Sequence, residues 1–195
     1  NDVIKECTSG YDELDMYSPA NAIRNFAWNF FADHCVEAIK SRAYNHYGEF
    51  DRKLQRGAWY TLHLCLSTIL KLMAPICPFA TEALWREIYS NQSIHLQLFP
   101  QEKKEHESDL KTLASQFTGF NTAIWKYKKG RNISLSQGIT AIVYGPKELG
   151  IFEADLKAMH KIKEIRFAEP TDKIKSSAQA IDSEIFVVDK SDLRN

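Results

Sequence analysis

Two prolines three residues apart, Pro75 and Pro78, interrupt a long apolar stretch and limit what residues 70–100 can form. A proline disfavours the α conformation in the residue that precedes it. The sequence therefore predicts that one helix ends at this corner and that another begins near Thr81. Beyond that second helix, apolar side chains alternate over residues 94–98, which predicts an extended segment laid along a helical bundle.

The first hundred residues carry the apolar period of packed helices. We predict a polar connector over 11–19, long helices over about 18–44 and 51–73, and a shorter helix over about 81–89. Gly57 interrupts the second long helix, as either a weak point or a close-packing site. Core spacing predicts burial of Trp28, Phe31, His34 and Trp85. Short connections between such helices indicate an antiparallel bundle.

The pattern changes after the charged segment 101–109, which marks the candidate domain boundary. The elements predicted beyond it are a helix over about 109–130, a strand over 139–144, a helical stripe over 149–159, strands near 164–167 and 185–188, and a loop over 171–179. The predicted fold class is therefore mainly α. An antiparallel helical bundle in residues 1–100 is followed, in residues 101–195, by a bundle-extending helix and a small α/β C-terminal cap.

A net charge of zero hides one basic strip. The 195 residues include 25 Lys or Arg and 25 Asp or Glu, and this balance alone argues against a nucleic-acid binder. Residues 110–147, however, contain six Lys or Arg and no acidic residue. Such a strip either contacts phosphates or only keeps a helix face solvated, and the sequence leaves both readings open.

The sequence offers no catalytic residue, since nucleophile-elbow, P-loop, dinucleotide-binding and zincin motifs are all lacking. No metal site is predicted, because no Cys or His pair has a partner pair at zinc spacing. Four well-separated cysteines among apolar residues indicate reduced core thiols and a cytoplasmic protein. No apolar run approaches the roughly 18 residues of a membrane span. The chain starts at Asn and is expected to be a monomeric fragment of a longer protein.

The proline corner resembles a signature of class I aminoacyl-tRNA synthetases. That signature, L-x-P-F-x-P-F-x-x-E-x-L-W followed by S-x-H-x-x-x-x-P, belongs to the anticodon-binding helical domain of the valine, isoleucine and leucine enzymes. The matching residues here are Pro75, Pro78, Phe79, Glu82, Leu84, Trp85, Ser93, His95 and Pro100, with Leu72 one position before that of the leucine in the signature. Ile76 and Cys77 depart from the usual residues of the signature but keep its apolar character.

Residues 22–42 narrow the resemblance to the valyl-tRNA synthetase family. They are similar to its pattern I-x-x-F-x-W-x-x-F-x-D-x-x-(L/V)-E-x-x-K, which the isoleucine and leucine enzymes share less completely. The matching residues are Ile23, Phe26, Trp28, Phe31, Asp33, Glu37 and Lys40. Residues 121–134 resemble the segment that follows the bundle, although lysines partly replace its arginines. The resemblance covers about residues 11–144 and is weaker beyond, where archaeal-type valine enzymes are nearest.

The resemblance implies a module that binds the anticodon arm of tRNA(Val). It would position that tRNA for aminoacylation by a parent catalytic domain outside this chain, where ATP and Mg would bind; no cofactor is expected here. Lys and Arg would contact phosphates, and loop bases would stack on aromatic or guanidinium planes. The candidate tRNA-binding residues are Arg42, Tyr44, His46, Tyr47, Arg52, Lys53 and Arg56 after the first long helix, and Lys126, Lys128, Lys129 and Arg131 later.

Three alternatives remain open at this point. The chain could be the same domain of an isoleucyl- or leucyl-tRNA synthetase. It could also be an interdomain scaffold that does not bind RNA, in which case Trp28, Phe79 and Trp85 would form an exposed apolar patch. The third alternative is an enzyme in its own right, for which the sequence supplies no candidate residue.

Overall fold

A computed structural model describes residues 1–46, 48–102 and 107–188 of the chain. These residues divide into two compact units. The first unit contains residues 1–36 and 42–102, and the second contains residues 37–41 and 107–188. Helices dominate, and a small four-stranded mixed sheet lies in the second unit, so the predicted mainly α fold class is confirmed.

The elements up to residue 102 are all helical. In chain order they are α1 (Asp2–Asp12), α2 (Tyr17–Arg24), a π-helix (Asn25–Val36), α3 (Glu37–Tyr44), α4 (Arg52–Met73), α5 (Pro78–Ile88) and a 3₁₀ turn (Ile94–Leu96). Helix α1 was not predicted, because its composition is polar and only Cys7 and Gly10 on it are buried. A Cβ atom at Gly10 would lie 2.6 Å from Cγ of Pro19, so α1 can approach α2 only with glycine there.

The core of the first unit consists of two apolar clusters. Leu70, Ala74, Trp85 and Ile94 form one, and Cys7, Ile23 and Leu72 form the other. Helix α4 contributes to both clusters, because Leu70 and Leu72 lie about 200° apart around the helix and so face opposite sides. Burial on two sides near its C-terminal end stabilises α4 as a packed helix.

The proline corner differs from the prediction in two details. Helix α4 ends at Met73, yet Ala74 before Pro75 keeps helical backbone angles (φ −56°, ψ −38°), so the predicted departure from α conformation at this residue is wrong. The chain leaves the helical conformation at Cys77 (φ −125°, ψ 62°). Helix α5 then begins at Pro78 itself, because the first helical position needs no backbone N–H donor.

The segment predicted to be extended forms a 3₁₀ turn over Ile94–Leu96 instead. The reason is a set of hydrogen bonds to the carboxylate of Glu82, which accepts the Oγ–H of Ser93 at 2.8 Å and the N–H of Ile94 at 2.9 Å. The guanidinium of Arg86 also donates to this carboxylate. Capture of a backbone N–H by a side chain favours a turn over an extended strand.

The Glu82 contacts give the first testable prediction. Donation from Arg86 is the main cause that lowers the Glu82 pKa from 4.5 to about 2. The unfolded chain therefore binds a proton at Glu82 at higher pH than the folded chain does. The ionised Glu82 carboxylate stabilises the folded state fully above about pH 4.5, and this stabilisation disappears toward about pH 2. We expect acidification through this window to lower the free energy of unfolding more for the wild type than for Glu82→Gln, as measured by urea denaturation. Identical pH dependence in both proteins would contradict this role of Glu82.

The π-helix changes which side chains are buried. Trp28 is 70% exposed, so its predicted burial is wrong, and Phe31 is half-buried. Hydrogen bonds of a π-helix join residues i and i+5, so the 3.6-residue period does not predict which of its side chains share a face. Burial of His34 and Trp85 is confirmed.

The second unit packs helices on a small sheet. After the first residues of α3 its elements are α6 (Glu107–Gly130), β1 (Ile139–Tyr144), a 3₁₀ turn (Lys147–Phe152), α7 (Glu153–His160), β2 (Ile162–Arg166), α8 (Asp172–Ser177), β3 (Gln179–Ala180) and β4 (Phe186–Val188). The strand order is β2-β1-β4-β3, with β1 parallel to β2 and antiparallel to β4, and β3 antiparallel to β4.

Most predicted elements of the second unit are confirmed. The strand β1 has the predicted bounds, and Phe120, Ile124 and Val143 lie in one buried cluster of this unit. The loop predicted over 171–179 is wrong for most of its length, because α8 lies within it.

Candidate nucleic-acid interface

The corner between α3 and α4 holds the first group of predicted tRNA-binding residues. Asn45 (φ +47°) and Gly48 (φ +67°) turn the chain. The Asn45 amide donates to the carbonyl of Phe50 at 2.7 Å, and the Asn45 side-chain oxygen accepts the Phe50 N–H at 3.0 Å. We call this pair of hydrogen bonds the Asn45 clasp. It closes the turn on which Tyr44 and His46 are carried.

Tyr44 and His46 form a stacked pair at the surface. Their ring centroids are 5.3 Å apart and their planes differ by 6°. Tyr44 is 63% exposed, and His46 is exposed as well. We call this pair the aromatic platform. Flat exposed rings of this kind are surfaces on which an unpaired RNA base stacks. Tyr47, which was predicted with them, lies outside the described residues.

Two α4 side chains anchor the end of α3 beneath this platform. The indole N–H of Trp59 donates to the carbonyl of Ala43 at 2.9 Å, and the amide of Gln55 donates to the same carbonyl at 3.1 Å. The last carbonyls of a helix have no partner within the helix, so these donors satisfy one of them. Sequence reasoning missed both residues, although their i, i+4 spacing places them on one face of α4.

Three cations follow at the start of α4. Arg52, Lys53 and Arg56 are exposed, and the helix contains no Asp or Glu. Asp51 caps it by accepting the N–H of Leu54 at 2.8 Å. Cations at a helix N-terminus oppose the helix dipole, so this arrangement does not serve helix stability. The positive end of the dipole and the three charges together favour an anion, as a phosphate would be.

Arg42 behaves differently from those three cations. Its guanidinium carbon lies 5.6 Å from the ring centroid of Phe50, and its side chain is half-buried. This cation–π contact stabilises the corner that carries the aromatic platform. Arg42 therefore packs on the corner at the same time as it adds positive charge to it.

The second group of predicted residues lies in the second unit. Lys126, Lys129 and Arg131 are exposed around the end of α6. The Arg131 guanidinium lies 5.0 Å from the ring centroid of Tyr127 and donates to the side-chain oxygen of Gln179 at 2.8 Å. Arg131 is thus held over an aromatic ring, whereas Lys126 and Lys129 extend from the helix surface.

The structure contradicts the prediction made for Lys128. It was predicted among the RNA-facing cations, but its side chain is 0% exposed. The ammonium donates to three backbone carbonyls, those of Leu135 at 3.0 Å, Gln137 at 2.7 Å and His160 at 2.8 Å. Burial, and secondarily the charge of Lys161, lowers the Lys128 pKa.

A sequence signal for this burial existed. Lys128 follows the core residues Phe120 and Ile124 at intervals of eight and four residues, which places it on the buried face of α6. The charge run around it hid that position. Lys128 is therefore removed from the candidate interface, and its role is to hold the second unit together.

The described residues supply little for catalysis. Across the described ranges, no three His, Cys, Asp or Glu side chains come together where they could hold a metal ion. Burial raises the pKa of the Cys7 and Cys35 thiols to about 11, so both stay protonated near neutral pH. Within the same ranges, no helix is long and apolar enough to span a bilayer.

Comparison with known proteins bears on this geometry. Residues 1–143 match the model of a protein family described as the anticodon-binding domain of tRNA ligase. The chain is 43% identical over 169 residues to a valine–tRNA ligase of Pyrobaculum aerophilum, a match that covers 85% of this chain and 20% of that protein. It is 36% identical over 164 residues to a valine–tRNA ligase of Aeropyrum pernix, with coverages of 83% and 20%.

A third relative matches a slightly larger share of the chain. The identity to a valine–tRNA ligase of Leifsonia xyli is 30% over 181 residues, which is 88% of this chain and 20% of that protein. The chain spans about one fifth of the length of these curated relatives. Since the family match covers well over half of its residues, the chain belongs to the family of anticodon-binding domains of tRNA ligases.

Proposed function

We propose that this chain is the anticodon-binding part of a cytoplasmic valine–tRNA ligase. In this role it binds the anticodon arm of tRNA(Val) and positions the tRNA for aminoacylation by a catalytic domain elsewhere in the parent protein, where ATP and Mg bind. The relatives named valine–tRNA ligases support the choice of valine over isoleucine or leucine. The observation that carries the proposal is the aromatic platform beside the three cations of α4.

The platform and the cations supply complementary contacts to a looped RNA. A base that leaves the anticodon stack meets the exposed ring of Tyr44 or His46. The phosphates on either side of that base meet Arg52, Lys53 or Arg56 at the positive end of α4. A locally basic and aromatic corner of this kind binds RNA even though the chain as a whole carries no net charge.

Replacement of Tyr44 tests the platform. Loss of one base stack costs about 1–3 kcal/mol, so Tyr44→Ala should weaken binding of tRNA(Val) at least about fivefold. The measurement is a filter-binding titration of the 195-residue chain with tRNA(Val) and tRNA(Ile) at two salt concentrations. The matched control is Tyr17→Ala, since Tyr17 is also an exposed tyrosine of the first unit but belongs to α2 and not to the corner.

Three outcomes decide the proposal. Preferential binding of tRNA(Val) with a selective effect of Tyr44→Ala supports it. Equal binding of tRNA(Val) and tRNA(Ile) would remove the assignment to valine. Absence of binding by the wild-type chain, or equal losses in the Tyr44 and Tyr17 variants, would remove the corner from the interface.

A docking role is the second candidate. Phe79, at the start of α5, is 89% exposed, and Trp28 is exposed too, which suits an apolar contact with the parent catalytic domain. Trp85, which was predicted as the third member of such a patch, is buried and cannot take part. Concentration-dependent self-association of the chain in sedimentation velocity, together with no tRNA affinity, would favour this docking role.

A further inference from the structure

One face of α4 stays exposed for about three helical turns. Lys53, Arg56, Gly57, Tyr60 and Leu64 recur at intervals of three and four residues or lie side by side, so they share a face, and all five are exposed. The face is about 16 Å long. Its middle position is occupied by a glycine.

No contact among residues 1–46, 48–102 and 107–188 requires glycine at position 57. A Cβ atom there would meet no other atom within 4 Å, in contrast to Gly10, where it would collide with Pro19. Its backbone is helical and has no positive φ, in contrast to Gly48. Glycine nevertheless destabilises a helix interior relative to alanine. The close-packing site that the sequence left as an alternative therefore has no partner among the described residues.

The surroundings of this glycine match those of an RNA contact. Lys53 and Arg56 precede it toward the N-terminal end of α4, and Tyr60 lies one turn further along the helix. The Tyr60 ring is 65% exposed. The face therefore presents cations, then a bare stretch of backbone, then a flat aromatic surface. A single-stranded backbone that comes close at the bare stretch has phosphates near the cations and a base near the ring.

We propose, resting on the tRNA-binding function proposed above, that Gly57 is the point of closest approach between α4 and the anticodon loop. Tyr60 stacks on a loop base beside this point and is a second binding residue beyond the aromatic platform. The missing side chain at position 57 thus makes room for the ligand rather than for the fold.

Gly57→Ala separates ligand contact from folding, because the two effects have opposite signs. The variant should raise the apparent Tm by about 2–4 °C, since alanine favours the helix. It should also weaken tRNA(Val) binding about fivefold, and Gly57→Leu should weaken it more. Gly119→Ala is the matched control, because Gly119 lies inside α6 and its Cβ position is equally open. This control should raise the Tm and leave the affinity unchanged.

Tyr60 is tested with a conservative pair. Tyr60→Ala should weaken binding at least about fivefold, whereas Tyr60→Phe, which keeps the ring, should bind as the wild type does. Melting curves of both variants show whether the fold is retained.

The outcomes distinguish this inference from the proposed function. Wild-type affinity in Gly57→Ala, or equal losses in Gly57→Ala and Gly119→Ala, would overturn the approach at Gly57 even if Tyr44→Ala binds weakly. Wild-type affinity in Tyr60→Ala would remove Tyr60 from the contact. If the wild-type chain binds no tRNA, the proposed function itself fails and this inference fails with it.

Discussion

Replacing Lys128 with methionine is expected to lower the free energy of unfolding by about 1–3 kcal/mol. Methionine keeps the length and apolar stem of the side chain but removes the ammonium, so one buried carbonyl, of His160, and two partly buried carbonyls, of Leu135 and Gln137, lose their donor. A buried polar group without a partner costs about 1–3 kcal/mol. The carbonyl of His160 also ends α7, where the helix dipole favours a cation, so the charge itself is part of the stabilisation.

Urea denaturation, monitored by hydrogen exchange of backbone amides in the second unit, measures this loss of stability. Hydrogen exchange is needed because the two units need not unfold in one transition. Lys129→Met is the control: Lys129 is exposed on the next position of α6, and its loss should change stability by no more than about 0.5 kcal/mol. Equal and small effects of both replacements would show that the buried ammonium does not hold the unit together.

Replacing Arg52, Lys53 and Arg56 together with glutamine should weaken tRNA binding about 50-fold at 0.15 M salt. Each phosphate contact to a single strand contributes about −0.7 to the slope of log affinity against log salt, so the slope should become less steep by about 2. The helix should not lose stability, because the three cations oppose its dipole. A loss of affinity therefore cannot be assigned to unfolding.

A variant with the same net charge controls for long-range electrostatics. Lys5, Lys163 and Lys175 are exposed and lie outside the candidate residues, so their joint replacement by glutamine should change the affinity much less. Filter binding at salt concentrations from about 0.05 M to about 0.5 M measures the slope of log affinity against log salt for each of the two triple variants. The same slope in both would show that RNA responds to net charge and not to the start of α4.

The apolar pattern of the sequence was sufficient to predict regular helices and buried strands. Helix α4 shows this through its helical apolar spacing, and strand β1 through a short apolar run in which five of six residues are buried. The π-helix could not be predicted, since it retains an apolar composition while it changes the side-chain period. The 3₁₀ turn over Ile94–Leu96 depends on Glu82, a residue distant in sequence, and local patterns do not contain that contact.

The candidate site was predictable in composition but not in arrangement. Aromatic and basic residues between two helices indicated the corner, and the structure stacks Tyr44 on His46 there. Lys128 could not be separated from its neighbours by charge alone, because only tertiary packing brings three carbonyls around it. Gly57 remained ambiguous for the same reason, since open space around a residue is a property of the fold.

The Asn45 clasp has a consequence for the thermodynamics of recognition. Both hydrogen bonds exist before any ligand arrives, so the platform is already ordered in the unbound chain. A preorganised surface loses little conformational freedom on association. Most of the unfavourable entropy would then fall on the nucleotides that unstack, and calorimetry of Asn45→Ala against the wild type would reveal the extra ordering as a less favourable binding entropy.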